Sequence, residues 1–270
     1  MDEIKLIASD MDHTLLTENG DLPPNIEATI AKLTELDINF AIASGRPLYT
    51  LNDVFQKTSD QMIFIADNGA AIAYKGEVIF KSLLETATYQ AIIRFIVAET
   101  DGIPILCGLD SAVISRTDAR HIPFLQTFYS KIKTVDNLAD STLAADKLTI
   151  YFPKKNSQIF YEKLFKPRFA KTLSVTVGDT IWIDLMNLGI DKGKAITFLA
   201  RYLGIATSQM MAFGDTYNDV EMLQAVKYSY LVANASSDMQ QYATFTTASN
   251  DDNGVMKIIE KVIKATEKRG

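Results

Sequence analysis

Asp10 and Asp12 stand one residue apart directly behind an apolar run, Ile4 to Ala8, and Thr14 follows two residues further on. Two carboxylates that close repel each other unless a cation or a division of protonation states relieves them. Three more clusters repeat the pattern of polar residues behind an apolar run: Ser44-Gly45-Arg46, Asn68-Gly69 and Gly214-Asp215-Thr216-Tyr217-Asn218-Asp219. Lys192-Gly193-Lys194 opens a stretch with helical spacing, and helix N-termini favour anions. Carboxylates beside hydroxyl, amide and ammonium donors suit the chemistry of phosphate groups. Taken singly, each cluster has a plainer reading: a capped turn for Asp-x-Asp, a capping hydroxyl for Ser44, a solvated lysine for Lys192. The strongest is the last, where two carboxylates and an amide within one turn of a buried strand are costly without a cation.

The elements between these clusters must bring them together. Asn39–Ala43, Met62–Ala66 and Met210–Phe213 read as short buried strands, and Ile26, Ile30, Leu33 and Leu36 recur at helical spacing after Pro23-Pro24-Asn25. The order β-α-β-α-β predicts a parallel sheet with helices on its faces, and such a sheet puts all its carboxyl ends on one edge. After Asp67-Asn68-Gly69 the rhythm changes, beginning with Ala71–Tyr74 and Glu77–Lys81, which flank Lys75-Gly76 and read as a hairpin. Hairpins and helices alternate: a helix about Glu85–Glu99, strands around Pro104–Cys107, Ala112–Ser115 and Lys147–Phe152, a helix to about Phe169, and a hairpin of Leu173–Val177 with Thr180–Leu185. This predicts an inserted α+β domain over residues 83–188 within a parallel core made of 1–82 and 189–270. A helix from Lys192 to Leu203, a strand Tyr228–Val232, a short strand about Thr244–Thr246 and a last amphipathic helix about Val255–Lys268 complete the core.

Composition excludes several classes. A formal charge of −6 leaves no electrostatic footprint for nucleic acid. Cys107 is the only cysteine, so no intrachain disulfide forms and no oxidising compartment is needed. Met1-Asp2-Glu3 lacks the basic and apolar regions of a signal peptide, and no apolar run approaches the ~20 residues needed to span a bilayer. The expectation is a cytoplasmic protein with no membrane partner.

The motifs Asp10-Met11-Asp12-His13-Thr14, Ser44-Gly45-Arg46, Lys192-Gly193 and Gly214-Asp215-Thr216-Tyr217-Asn218-Asp219, in that order, resemble those of the haloacid dehalogenase superfamily. More narrowly, the chain resembles the Cof-type phosphatases, whose large α/β cap is inserted after the third core strand of a Rossmann-like domain. The resemblance implies an α/β fold with a Rossmann-like parallel-sheet core and an inserted α+β cap. It implies a phosphatase of small phosphorylated metabolites, such as sugar phosphates or phosphorylated cofactors, as monomer or weak homodimer. Asp10 is then the nucleophile that forms an aspartyl-phosphate, and Asp12 the general acid and base. Mg2+ is held by Asp10, the Asp12 backbone carbonyl and Asp215. The phosphoryl oxygens are held by Met11 N–H, Ser44, Gly45, Lys192 and Asn218, with Asp219 supporting Lys192 or a water on the metal.

The family carries glycine directly after its second aspartate, where this chain has His13. Histidine is among the residues that tolerate positive φ, which makes a backbone explanation the plain one; the sharper reading is a proton donor or leaving-group contact. Asn234 falls where the family has an asparagine near the site. His121 reads as a surface or helix residue, Trp182 as a packing residue on a hairpin strand, and Cys107 as an inert core thiol. A phosphotransferase or sugar phosphomutase would share the same intermediate. A binding protein with a degenerate site is the rival from another class, and the retention of Asp10, Asp12, Lys192 and Asp215 argues against it.

Overall fold

The computed structural model describes residues 3–269, in which two sheets stand on separate stretches of the chain. The first stretch supplies β1 (Leu6–Asp10), α1 (Ile26–Glu35), β2 (Asn39–Ala43), α2 (Leu48–Val54), β3 (Ile63–Ala66), β4 (Ala71–Tyr74) and β5 (Glu77–Lys81). The middle supplies α3 (Thr86–Glu99), β6 (Ile103–Gly108), β7 (Ala112–Ser115), α4 (Ile122–Leu125), β8 (Ile132–Val135) and β9 (Ala145–Tyr151). It continues with α5 (Ser157–Phe160), α6 (Lys166–Phe169), β10 (Leu173–Val177) and β11 (Trp182–Asn187). The last stretch gives α7 (Lys192–Leu203), β12 (Met210–Gly214), α8 (Val220–Ala225), β13 (Tyr228–Leu231), β14 (Phe245–Thr246) and α9 (Gly254–Glu267).

The larger sheet runs β14-β13-β12-β1-β2-β3-β4-β5, parallel from β14 to β3 and antiparallel through the β4–β5 hairpin. Its central strands are apolar throughout because both faces are covered. Ile7, Phe40, Ile42 and Phe64 enter one core, while Leu6, Ala8, Ala41 and Ile63 enter the other, as the two-residue period of a strand requires. Strand order changes direction around β1, so loops diverge there and leave a crevice at the carboxyl edge.

The smaller sheet runs β10-β11-β9-β6-β7-β8 and is antiparallel except for the β7–β8 pair. One face packs Leu106, Leu148, Ile150, Ile183 and Leu185 against α3 and the α5–α6 segment. The chain passes between the sheets twice, and the two passages are tied together: Asn187 Nδ2 donates to Ser82 Oγ and to Leu83 O, both at 2.9 Å. The expected α/β core with an α+β insertion is therefore the architecture observed.

Some elements differ from expectation. The helix expected after β9 is broken, with α5 and α6 separated by a wide turn at Tyr161–Phe165. Pro167 follows that turn and lacks the N–H that would continue the regular ladder. The second strand of the late hairpin starts at Trp182, not Thr180, and extends to Asn187. β8 and α4, four residues each, are too short to set up a period of their own, being held as an edge strand beside β7 and a single turn over the sheet. Among the described residues no helix is long and apolar enough to cross a membrane.

Candidate active site

Strand β1 ends at Asp10, and the chain then turns sharply through Met11–Leu15 with His13 in the left-handed region at φ 59°. That conformation is the one the family's glycine adopts freely, and it explains why histidine is accepted. The turn is braced from outside, since Asn234 Nδ2 donates to the His13 carbonyl at 2.7 Å and Asn250 Nδ2 donates to Leu16 O at 3.0 Å. His13 itself pairs through Nδ1 with exposed Glu18 at 3.1 Å.

Asp10 is buried, and Lys192 Nζ donates to its Oδ1 at 2.6 Å. The same ammonium donates to Asp219 Oδ1 at 2.6 Å, so one cation at the first residue of α7 ties β1 to the turn behind β12. Asp219 is anchored in turn, its Oδ2 accepting the N–H groups of Asp215 and Thr216 at 3.0 and 3.2 Å. Two glycines let these pieces approach. A Cβ on Gly193 would lie 2.4 Å from the Glu221 carbonyl oxygen, and one on Gly214 would lie 2.6 Å from Cβ of Asp219. Thr14 Oγ1 donates to Asp215 Oδ1 at 3.0 Å and joins the first motif to the last.

Electrostatics in this cluster are short of positive charge. Carboxylate atoms of Asp10, Asp215 and Asp219 all lie within 4.8 Å of one another. Burial, with Asp219 and Asp215 nearby, pushes the Asp10 carboxyl well above the usual carboxylate range despite Lys192. Burial and the Asp219 charge push Asp215 up to about 7. Burial works against the charge on Lys192, but Asp10 and Asp219 together hold it protonated and move it upward. A set of hard oxygen donors with more negative charge than one lysine balances suits a divalent cation. Asp219 is already committed to Lys192 and two backbone groups, which leaves Asp10 and Asp215 as the acidic groups free to face one.

Asp12 points elsewhere. Arg46 grips both its oxygens, Nη2 to Oδ1 at 2.6 Å and Nε to Oδ2 at 3.0 Å, a bidentate pairing that fixes the carboxylate plane. Arg46 also reaches the second sheet's domain: Nη1 donates to Thr127 O at 2.9 Å, and the guanidinium lies 5.3 Å from the centre of the Phe128 ring. Ser44 is buried behind β2 and its Oγ accepts the Arg46 N–H at 3.0 Å. Asn218 Nδ2 donates to Asn68 Oδ1 at 3.2 Å, while its own Oδ1 is buried without a partner. Met11 is fully buried below the turn.

Asp10, Asp12, Gly45, Lys192, Asp215, Asn218 and Asp219 are thus gathered at one carboxyl edge, with Ser44 beside them. All but Lys192, Asp219 and Ser44 line a single cleft whose opposite wall is Phe128, Tyr129, Lys147, Thr149, Trp182 and Asp184. That wall is where sequence reasoning missed residues. Lys147, in β9, is buried and places Nζ 2.5 Å from Gly45 O, 3.0 Å from Asp67 Oδ1 and 3.6 Å from Asp184 Oδ2. Asp184 Oδ2 also accepts Asn68 Nδ2 at 2.8 Å, and its Oδ1 accepts Thr149 Oγ1 at 2.7 Å. Burial opposes the Lys147 charge, yet Asp184 and Asp67 raise it well above an ordinary lysine. The available signal was a charge inside an apolar strand, as in Asp-Lys before Leu148-Thr-Ile-Tyr and Asp184 within Ile-Trp-Ile-Asp-Leu. His121 and Cys107 stay outside the cleft lining, whereas Trp182 is part of it.

Comparison with known proteins places the chain in a family. Residues 7–259 match the model of the haloacid dehalogenase-like hydrolase family. An Escherichia coli protein named 5-amino-6-(5-phospho-D-ribitylamino)uracil phosphatase is 29% identical, over 97% of both chains. A Bacillus subtilis protein of the same name is 24% identical over 95% of both. A crystal structure from Streptococcus mutans superposes with a TM-score of 0.91 at 28% identity, covering 97% of this chain and 100% of that one. A sugar phosphatase of subclass IIB shares the fold, with a TM-score of 0.79 at 21% identity over 95% of this chain and 98% of that one. The chain belongs to the haloacid dehalogenase-like hydrolase family, among its Cof-type phosphatases with an inserted α/β cap.

Proposed function

We propose that the protein is a Mg2+-dependent phosphatase of small phosphorylated metabolites that works through an aspartyl-phosphate on Asp10, with residues 83–188 as its cap. The observation that carries this reading is the buried Lys192, 2.6 Å from both Asp10 and Asp219, at a carboxyl edge that also presents Asp215. An anionic nucleophile approaches an anionic phosphate only where positive charge stands beside both, which the Lys192 ammonium and a cation held by the neighbouring acidic oxygens would supply. Asp10, the Asp12 backbone carbonyl and Asp215 would hold Mg2+, which when bound supplies the remaining positive charge.

In this reading Asp10 attacks phosphorus in line and displaces the alcohol oxygen, which takes its proton from Asp12. Asp12 then removes a proton from the water that attacks phosphorus and frees Asp10 and inorganic phosphate. Lys192, Ser44, Asn218 and the backbone of Met11 and Gly45 hold the phosphoryl oxygens. Asp219 positions Lys192, and Arg46 fixes the plane of the Asp12 carboxyl through its two hydrogen bonds. The cleft is closed on its far side by cap residues, which favours a small leaving group over a phosphoprotein.

The E. coli relative and two B. subtilis relatives carry the name 5-amino-6-(5-phospho-D-ribitylamino)uracil phosphatase, which makes that compound the first metabolite to assay. The test is release of inorganic phosphate from it and from a generic aryl phosphate. Release should require Mg2+ and vanish in Asp10→Asn. A folded protein that turns over no phosphoester with Mg2+ present would refute the proposal.

A further inference from the structure

The cap wall of the cleft is ordered in rows. On β9, Lys147, Thr149 and Tyr151 share a face, and on β11 Asp184 and Trp182 share it, because side chains alternate along a strand. The strand register puts Thr149 beside Asp184 and Tyr151 beside Trp182. Nearest the phosphate loop stands Lys147, against Gly45 O. Next comes the polar row of Thr149 and Asp184, and one further step along the strands, ~7 Å on, comes the aromatic row. Trp182 is packed edge-on by Phe128, with ring centres 5.2 Å apart, and tilted against Tyr151 at 5.1 Å.

We propose that these rows measure the leaving group: Asp184 accepts hydrogen bonds from hydroxyls close to the phosphorylated carbon, and Trp182 covers a planar ring beyond them. The inference rests on the phosphatase reading and deepens it. Asp184 suits hydroxyls because it is an acceptor without protons of its own to offer. Its Oδ1 takes one bond from Thr149 and has capacity for another, while Lys147 and Asn68 fix Oδ2. A second phosphate is disfavoured at this row by the Asp184 charge. Trp182 suits a flat, unsaturated group because its ring is already held rigid by aromatic neighbours and remains partly accessible. The substrate class is a phosphomonoester of a short polyol that bears a planar ring at its other end.

The experiment assays the full chain with Mg2+ on three phosphoesters: p-nitrophenyl phosphate, ribitol 5-phosphate and 5-amino-6-(5-phospho-D-ribitylamino)uracil. For Asp184→Asn the ratio of kcat/KM on ribitol 5-phosphate to that on p-nitrophenyl phosphate should fall by about ten-fold, the effect of one charged hydrogen bond. For Trp182→Leu the ratio of the ring-bearing substrate to ribitol 5-phosphate should fall by roughly as much. Thr149→Val keeps the shape of the row and removes the hydroxyl that orients Asp184 Oδ1 toward the cleft; it should lower the first ratio by a smaller factor, and decides the matter if Asp184→Asn does not fold. Ratios unchanged within about two-fold, or equal losses on all three esters, would overturn the assignment and leave the rows a packing feature. A wild type that hydrolyses only unrelated phosphoesters would overturn it too, with the phosphatase reading intact. Failure on every phosphoester would strike that reading itself.

Discussion

Among the described residues two lysines are buried, and they face the same cleft from opposite sides. Lys192 belongs to the core, at the start of α7, and both of its carboxylate partners lie in the core within 2.6 Å. Lys147 belongs to the cap sheet, and it spans the division: Asp67 and the Gly45 carbonyl are across the gap, Asp184 is on its own side. Each is surrounded by more acid than it neutralises. Asp10 and Asp215 are pushed upward around one; Asp67 and Asp146 are pushed upward by burial around the other. The difference lies in what the acid excess is for. Around Lys192 the excess is exposed toward a cleft where a metal and a phosphate can answer it. Around Lys147 an acid of the core, Asp67, and one of the cap, Asp184, share a single ammonium, and that shared pairing joins the two domains in one arrangement.

Replacing each lysine is the sharpest way to break the comparison. Lys192→Met should reduce kcat by about a thousand-fold at saturating substrate, the effect of removing a donor aimed at developing charge. Steady-state turnover of an aryl phosphate checks this, and a change confined to KM would contradict it. Arg46→Lys keeps a charge but loses the fork that fixes Asp12, so kcat should fall roughly ten- to a hundred-fold, most for esters with poor leaving groups, where proton delivery matters. A loss equal for good and poor leaving groups would place Arg46 in phosphate binding instead.

Lys147→Met should act through architecture. It strands Asp67 and Asp184 without their cation, which in a buried setting costs about 3 kcal/mol. Thermal unfolding should show the loss, with KM rising because the cap no longer sits over Gly45. A variant as stable as the wild type, with only kcat reduced, would erase the distinction between the two lysines. The smallest effect is expected at His13→Gly. Glycine adopts the left-handed turn freely, and the imidazole's partner is only exposed Glu18, so turnover should stay within about five-fold.

The comparison also marks how far the sequence could be read. Lys192 was legible because it opens a helical stretch two residues before the next lysine, with glycine between, in a chain that also carries two aspartate-bearing turns, at Asp10/Asp12 and Asp215/Asp219. Parallel strands put their carboxyl ends on one edge, so four separate motifs imply one site. Lys147 was only half legible: a charge at the head of an apolar strand is a signal, but its partners Gly45 and Asp67 lie at a sequence distance that only the domain closure cancels. The same holds for Arg46, readable as part of Ser44-Gly45-Arg46 but not as the clamp on Asp12. Contacts between domains carry no periodicity, because no local backbone rule sets which residues meet. The division at 83 and 188 was inferred from a change of rhythm that begins earlier, at the Ala71–Lys81 hairpin, and the strands of that hairpin, β4 and β5, join the larger sheet.

The central claim is that Asp10 carries the phosphoryl group, with Asp12 handling protons. It is tested most directly by trapping in Asp12→Asn with Mg2+ and p-nitrophenyl phosphate. The aryl leaving group departs without a proton, so the first step proceeds, while hydrolysis of the intermediate lacks its base and stalls. Mass spectrometry of the acid-quenched protein should find one phosphoryl group, removable by hydroxylamine, on the peptide containing Asp10. Continued turnover of the aryl phosphate by this variant with Asp10 unmodified would contradict the account.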